Sequence, residues 1–428
     1  MLIEFTVENY RSFRDEAVLS MEATGSNQFM SVPIPFGGLQ ILPSVAIYGK
    51  NGGGKSNIIR AFWLAVQFIR TAQRTQHEEA TIPVTPFALN DYSASEPTKF
   101  SFVYTLNGIK YWYSFSATKE KVYSESLYHA PKGQKALVFS RDGQKISFKE
   151  AKARRKLISQ IVAENQLFFS VACTMNDADC AKAMAWFREM IYFSRDYSDI
   201  PRQLLECPNN ANMLRAISDY AKAVDVGIED MKFEISGKEI NDDLLENASD
   251  EIKAALVQFI HQLSEESSDS EAHLRMGQVT ATSLHQGKDK NGRLQMYSIA
   301  LADESDGTRK LMALAPAIES ALAKGGLLLV DDIELHPALT EFIISKFQNK
   351  KTNPNGAQIV FTTHNTELLS MELLRKDQFY FVDKNNEDGA SELYSISDSS
   401  TRTTENIRKE YLLGKYGATP SIEIDEIV

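Results

Sequence analysis

Gly49-Lys50-Asn51-Gly52-Gly53-Gly54-Lys55-Ser56 follows directly on the apolar run Ser44-Val45-Ala46-Ile47-Tyr48. The octet fits G-x-x-x-x-G-K-[ST], the pattern of a phosphate-binding loop. Its glycines let consecutive backbone N–H groups turn toward a polyphosphate. Lys55 is then long enough to reach the β- and γ-phosphates, and the Ser56 hydroxyl is a ligand for Mg²⁺. A β-branched strand precedes the octet, and Asn57 to Val66 carries apolar residues at helical spacing, so the loop opens a helix N-terminus. Asn51, Gly52, Gly53, Gly54, Lys55, Ser56 and Asn57 are the expected contacts to a nucleoside triphosphate and its Mg²⁺.

The rest of the composition sets bounds. A chain of 428 residues with 43% hydrophobic and 24% charged residues belongs with ordinary globular proteins. No run approaches about 18 consecutive apolar residues, so no membrane span is expected. Glu4 and Glu8 stand where a signal peptide would carry basic and then apolar residues, which predicts a cytoplasmic chain. Cys173, Cys180 and Cys207 are an odd number with no zinc spacing and read as reduced thiols. The net charge of −11 argues against non-specific coating of DNA, although a local basic groove for nucleic acid stays open. The densest basic run, Lys149 to Lys156, reads as a solvated helix face.

Texture along the chain divides it into residues 1–148, 149–270 and 271–428. The first segment is strand-rich, with a hairpin turning at Asn107-Gly108 between Lys99–Tyr104 and Ile109–Phe115. Glu150 to Lys222 has helical spacing, and a short strand is expected at Met231–Ile235. Residues 239–252 are acidic, and Ser264–Glu271 reads as a flexible loop or linker. Strands return near Gln278 and at Leu294–Ile299, and strands and helices then alternate to about residue 385. The phosphate loop thus lies near the N-terminus, and the remainder of a doubly wound α/β site must come from the last third. A mainly helical insertion separates the two halves.

Three further segments carry candidate chemistry. Gly325 to Asp332 is an apolar run ending in two carboxylates, the pattern of a buried parallel strand whose C-terminal end faces a ligand. Asp331 is placed to hold Mg²⁺ through water opposite Ser56, and Asp332 to polarise an attacking water. Glu304-Ser305-Asp306-Gly307-Thr308 opens a helix, where Ser305 and Gly307 offer a hydroxyl and bare N–H groups to an anion. Gln358 to Thr366 is another buried strand ending in small polar residues and His364, which can sense a γ-phosphate. Asp377 and His285 fall outside these groups and are expected to be structural.

In this order the four elements resemble the ATP-binding-cassette class of P-loop ATPases, and within it the RecF/SMC-like branch. The resemblance narrows on Val7-Glu8-Asn9-Tyr10-Arg11-Ser12-Phe13, Asn165 to Ser170, Glu304 to Thr308, Thr362 to Leu369 and the tail Tyr411 to Pro420. These are similar to bacterial abortive-infection ATPases of the AbiL/RloA type, related to the ATPase subunits of anti-phage cassettes. The resemblance implies an ABC-type ATPase head, a mixed sheet with an antiparallel β-subdomain, carrying a helical insertion. It implies that Ser305 to Thr308 caps a nucleotide held by a second subunit, that His364 is the switch histidine, and that the protein is a homodimer or larger. It further implies a separately encoded effector, often a nuclease, and RecF-like binding of DNA ends or gaps in repair is the alternative. A metabolic kinase is disfavoured, because the split site and the segment Ser305 to Thr308 have no role in such an enzyme, which would need an acceptor pocket.

Two departures stand out. Asp331-Asp332 replaces the Asp-Glu expected at this strand end, and the shorter side chain sits about an ångström away, a shift that can cost about 10²-fold in rate. Glu334 can stand in if the chain stays extended there. Ile333 to Pro337 is also about two residues shorter than usual, which puts the cross-subunit contact at that loop in question. Gln73, Gln76 and the stretch at Pro86-Phe87 are the candidates for a Q-loop, and none stands out. Slow hydrolysis is expected.

Overall fold

Ser44–Gly49, Leu327–Val330 and Gln358–Thr362 are buried at every position, as strands covered on both faces must be. In the computed structural model they pair in parallel, and that pairing organises the site. The structure describes residues 1–25, 29, 32–74, 80–194, 211–224, 227–239, 275–398 and 406–417. Contacts divide the chain into one unit of Met1–Arg195 with Ser320–Val428 and a second of Asp196–Glu319. These boundaries differ from the expected 148/149 and 270/271.

In the first unit, β1 (Leu2–Glu8), β2 (Ala17–Ser20), the ribbon β3 (Ile34–Phe36) and β4 (Leu39–Ile41), and β5 (Ser44–Gly49) lead into helix α1 (Lys55–Thr71). Helix α2 (Asp91–Ser95) precedes the meander β6 (Thr98–Leu106), β7 (Ile109–Ala117), β8 (Val122–Ala130), β9 (Ala136–Asp142) and β10 (Lys145–Phe148). Helices α3 (Lys152–Ser159), α4 (Phe168–Thr174) and α5 (Ala178–Glu189) follow, then β11 (Ile191–Ser194). The second unit holds α6 (Ala211–Val224), β12 (Ile228–Glu239), β13 (Arg275–Lys288) and β14 (Leu294–Ala300). Helix α7 (Asp306–Lys324) runs across the boundary, and β15 (Leu327–Val330), α8 (Pro337–Gln348), β16 (Gln358–Thr362), β17 (Phe379–Lys384), β18 (Ser391–Ser395) and α9 (Ile407–Leu412) complete the first unit.

The parallel sheet has the order β11-β15-β16-β5-β17-β18, with only β18 antiparallel. Register pairs Phe361 with Ala46 and Val330 with Phe361, so β5, β15 and β16 end at one edge. An antiparallel sheet, β10-β9-β8-β7-β6-β1-β2, forms the subdomain, and this mixed α/β architecture is the one expected. Its β6–β7 turn is the Asn107-Gly108 hairpin, with φ of 50° and 76° at the two central residues.

Helices α3–α5 belong to this unit because their apolar faces complete its core. Trp186 stacks on Tyr104 at 4.4 Å and Phe169 lies 4.5 Å from Tyr113. The stretch expected to be mainly helical therefore splits. Its first three helices and β11 complete the first unit, whereas α6 and β12 lie in the second unit, where β12, β13 and β14 make an antiparallel sheet. Residues 240–252, Ser264–Glu271 and Cys207 lie outside the described residues. Cys173 and Cys180 are buried free thiols.

The basic run is not a uniform solvated face. Arg155 turns inward, 1% exposed, and donates to Asp177 at 2.8 and 3.0 Å and to Asp179 at 2.7 Å. No described helix is long and apolar enough to cross a membrane.

Candidate nucleotide-binding site

The phosphate loop leaves β5 and enters α1 at Gly54, whose φ of 117° favours glycine. Space demands it as well, since a Cβ there would stand 2.7 Å from Ser391 Oγ and 2.8 Å from Ser12 Oγ. These serines hold the loop from outside. Ser391 Oγ donates to Gly53 O at 2.6 Å, Ser391 N–H donates to Ser12 O at 2.6 Å, and Asn57 Nδ2 donates to Ser12 Oγ at 2.9 Å. Lys50 reaches the end of β17, donating to Lys384 O at 3.1 Å with Asp383 3.3 Å away.

Lys55 is buried at the start of α1 and donates to Gly49 O at 2.7 Å and Lys50 O at 3.2 Å. Burial holds its ammonium down to about 8, against the pull of Asp332 and Asp331. Its Nζ also lies 3.3 Å from His364 Nδ1. A protonated Lys55 can only donate, so Nδ1 accepts and the ring proton sits on Nε2, which faces Asp332 Oδ1 at 3.7 Å. Burial and Lys55 both lower the His364 pKa, while burial raises that of Asp332. Lys55, Asp332 and His364 are therefore brought together from three strand ends.

Asp331 is 6% exposed and accepts from Thr362 Oγ1 at 3.1 Å, and the same hydroxyl accepts from Asp332 N–H at 2.6 Å. Asp332 adopts a φ of 60°, and Glu334 N–H folds back to Asp332 O at 2.8 Å. The chain turns after Asp331 and does not stay extended, the condition on which Glu334 was expected to replace Asp332. Glu334 is exposed and does not line the cavity.

That cavity, about 300 Å³, is lined by Lys50, Asn51, Gly52, Gly54, Lys55, Ser56 and Asn57 of the loop, together with Arg60, Asp332, Thr362 and His364. Lys50, Lys55 and Arg60 bring three cations against one carboxylate, which suits a polyanion. Arg60, Ser12, Ser391 and Asp383 were not anticipated as parts of the site. Two of them had a sequence signal: Arg60 follows Ser56 by four residues and so shares its helix face, and Ser12 lies in the segment Val7 to Phe13 that carries the resemblance.

Ser305 and Gly307 belong to the second unit. Ser305 Oγ accepts from Thr308 N–H at 3.1 Å, capping α7. His285 Nε2 lies 2.8 Å from Glu304 Oε1 and 3.1 Å from Ser283 Oγ, next in the chain to that cap. Asp377 is wholly engaged by Arg375, at 2.9 and 2.7 Å, and by Thr24. Gln73 donates to Arg70 O beyond the end of α1, Phe87 N–H donates to Asn9 Oδ1, and Gln76 lies outside the described residues. In the tail, Tyr411 and Tyr416 stack on Phe381 of β17 at 5.4 and 5.0 Å, and Ala418 to Pro420 lie outside the described residues.

Residues 44–370 match the family model described as AAA domain, putative AbiEii toxin, Type IV TA system. Comparison with curated proteins finds no match. Solved structures that resemble the chain include the SMC head domain from Thermotoga maritima, at TM-score 0.37 and 14% identity, covering 92% of this chain and 98% of that one. A second is the SmcHead bound to the C-winged helix domain of ScpA, at TM-score 0.37 and 11% identity, covering 92% and 97%. A third is the Smc head domain with an extended coiled coil bound to the C-terminal domain of ScpA from Pyrococcus furiosus, at TM-score 0.35 and 13% identity, covering 98% and 99%.

Proposed function

The chain belongs to the AAA-domain family described as putative AbiEii toxin, Type IV TA system, and from that premise we propose that it is an ATP- and Mg²⁺-dependent switch. It pairs through nucleotide and controls a separately encoded effector, a nuclease or toxin, in defence against phage. The observation that carries the nucleotide half is the convergence of Lys55, His364 and Asp332 on one cationic cavity.

Each residue has a defined task. The loop N–H groups and Lys55 hold the phosphates. His364, with Nδ1 toward Lys55, turns its Nε2–H toward the space beside Asp332, where it can donate to a γ-phosphate oxygen. Asp332 accepts from the attacking water, and its turned backbone directs the carboxylate into the cavity in preference to Glu334. Among the described residues no three His, Cys, Asp or Glu side chains gather into a metal cage. Mg²⁺, which keeps several waters and takes few protein oxygens, would be held by the Ser56 hydroxyl and, through water, by the Asp331 carboxylate. When bound it neutralises charge on the phosphate oxygens. Such a switch needs differential affinity for its two states and no fast turnover. The inward turn of Arg155 removes a cation from the one dense basic run and weakens the DNA-repair alternative.

The test is co-expression with the native genomic neighbours, followed by affinity purification and light scattering with and without ATP and Mg²⁺. A stoichiometric partner on a nucleotide-dependent dimer or larger assembly is expected. Lys55→Ala should lose ATP binding by about 10²-fold or more and dissolve that assembly. Asp332→Asn should keep ATP affinity and lose turnover. Salt-labile DNA in place of a protein partner would overturn the effector reading.

A further inference from the structure

We infer that Arg60 occupies Asp331 as a built-in counter-cation and thereby sets how strongly nucleotide binding depends on Mg²⁺. The inference rests on the nucleotide reading of the cavity. Arg60 lies on α1 one turn past Ser56 and lines the cavity beside Lys55. Its Nε is 3.9 Å from Asp331 Oδ2, close enough for an ion pair and too far for a hydrogen bond. That nitrogen is fully buried and has no hydrogen-bond partner among the described residues. A buried guanidinium N–H left unbonded is costly, so the arrangement is poised to move to a better acceptor. Asp331 is restrained from turning toward it, because its other oxygen accepts from Thr362 Oγ1 at 3.1 Å.

Two consequences follow from charge and geometry. A guanidinium and a divalent cation compete for the same carboxylate oxygen, so Arg60 raises the Mg²⁺ concentration needed to occupy Asp331. Displaced from Asp331, its planar fork of N–H donors faces a cavity built for phosphate, where Arg binds oxyanions with two parallel bonds. Without divalent cation, Arg60 therefore supplies part of the positive charge that a triphosphate needs, and with Mg²⁺ present its share becomes small.

The experiment titrates a fluorescent ATP analogue into the full-length protein in Mg²⁺ and in EDTA, for wild type, Arg60→Gln and Arg60→Lys. Arg60→Gln should weaken binding in EDTA about tenfold while changing binding in saturating Mg²⁺ by less than about threefold. The half-saturating Mg²⁺ concentration should fall, since Asp331 is freed. Arg60→Lys should lie between, and equal urea midpoints for all three proteins would separate these effects from misfolding. An unchanged EDTA-to-Mg²⁺ ratio in Arg60→Gln, or an equal loss in both conditions, would overturn the inference while leaving the nucleotide reading intact. Wild-type protein that binds no analogue in either condition would overturn both.

Discussion

Two of the polar clusters in the first unit are finished in opposite ways. At Glu125 the carboxylate is fully buried and every bond it needs is made: Tyr113 OH donates at 3.0 Å, Phe168 N–H at 2.8 Å and Phe169 N–H at 2.9 Å, with Arg141 3.7 Å away. Arg141 in turn donates to Gly143 O at 2.8 Å and Gln166 O at 2.5 Å. Burial pushes the Glu125 pKa up against the pull of Arg141, yet the knot is closed. Lys55 shares its cavity with Lys50 and Arg60. Its Nζ meets a histidine nitrogen at 3.3 Å, and Arg60 Nε goes unbonded. A closed knot fixes the start of α4 against β8; an open cluster waits for an anion. The segment Asn165 to Ser170, singled out by resemblance alone, is thus part of the structural knot and not of the site.

The contrast can be broken first at the knot. Glu125→Ala leaves Arg141 buried without its carboxylate and orphans two helix N–H groups, and should cost about 3–5 kcal/mol. Urea unfolding checks it, and an unmoved midpoint would falsify the view that this cluster is structural. Retained nucleotide affinity in the variant, measured well below its unfolding midpoint, would sharpen the division of labour.

The open cluster should announce itself through protons. With its pKa held down to about 8, Lys55 is partly neutral at pH 8.5 and charged at pH 7. A bound triphosphate favours the ammonium, so binding takes up a proton above pH 8, and affinity falls as pH rises through that range. Calorimetry in buffers of different ionisation enthalpy at pH 7 and 8.5 reads the uptake directly. Equal affinity and no uptake at both values would mean that Lys55 does not meet the phosphates.

The smallest effect is expected where the loop is merely braced. Ser12→Ala removes the acceptor for Asn57 Nδ2 and should weaken nucleotide binding by about 1 kcal/mol, some fivefold, with little change in stability. A loss as large as that of Lys55→Ala would make Ser12 a direct contact.

Much of this molecule was legible before folding. The octet at Gly49–Ser56, the buried runs ending at Asp331 and Thr362, and the Asn107-Gly108 hairpin are local patterns, and local sterics and burial on two faces give each one meaning. The four residues of β11 were lost within helical spacing, because a strand this short is defined by its pairing with β15. Arg155 hid in a basic run for the same kind of reason: its inward turn depends on Asp177 and Asp179, carried by a different element.

What sequence determined by itself was the identity of the groups: a phosphate loop, two carboxylates after a buried strand and a histidine after the next. Tertiary structure decided which of them meet. The serine that braces Gly53 lies 338 residues away, the histidine against Lys55 lies 309 away, and the turn that places Asp332 hangs on a hydroxyl 30 residues on. Periodicity and turn chemistry act over a few residues, whereas these contacts exist only because the ends of β5, β15 and β16 and the start of β18 come to one edge of the sheet.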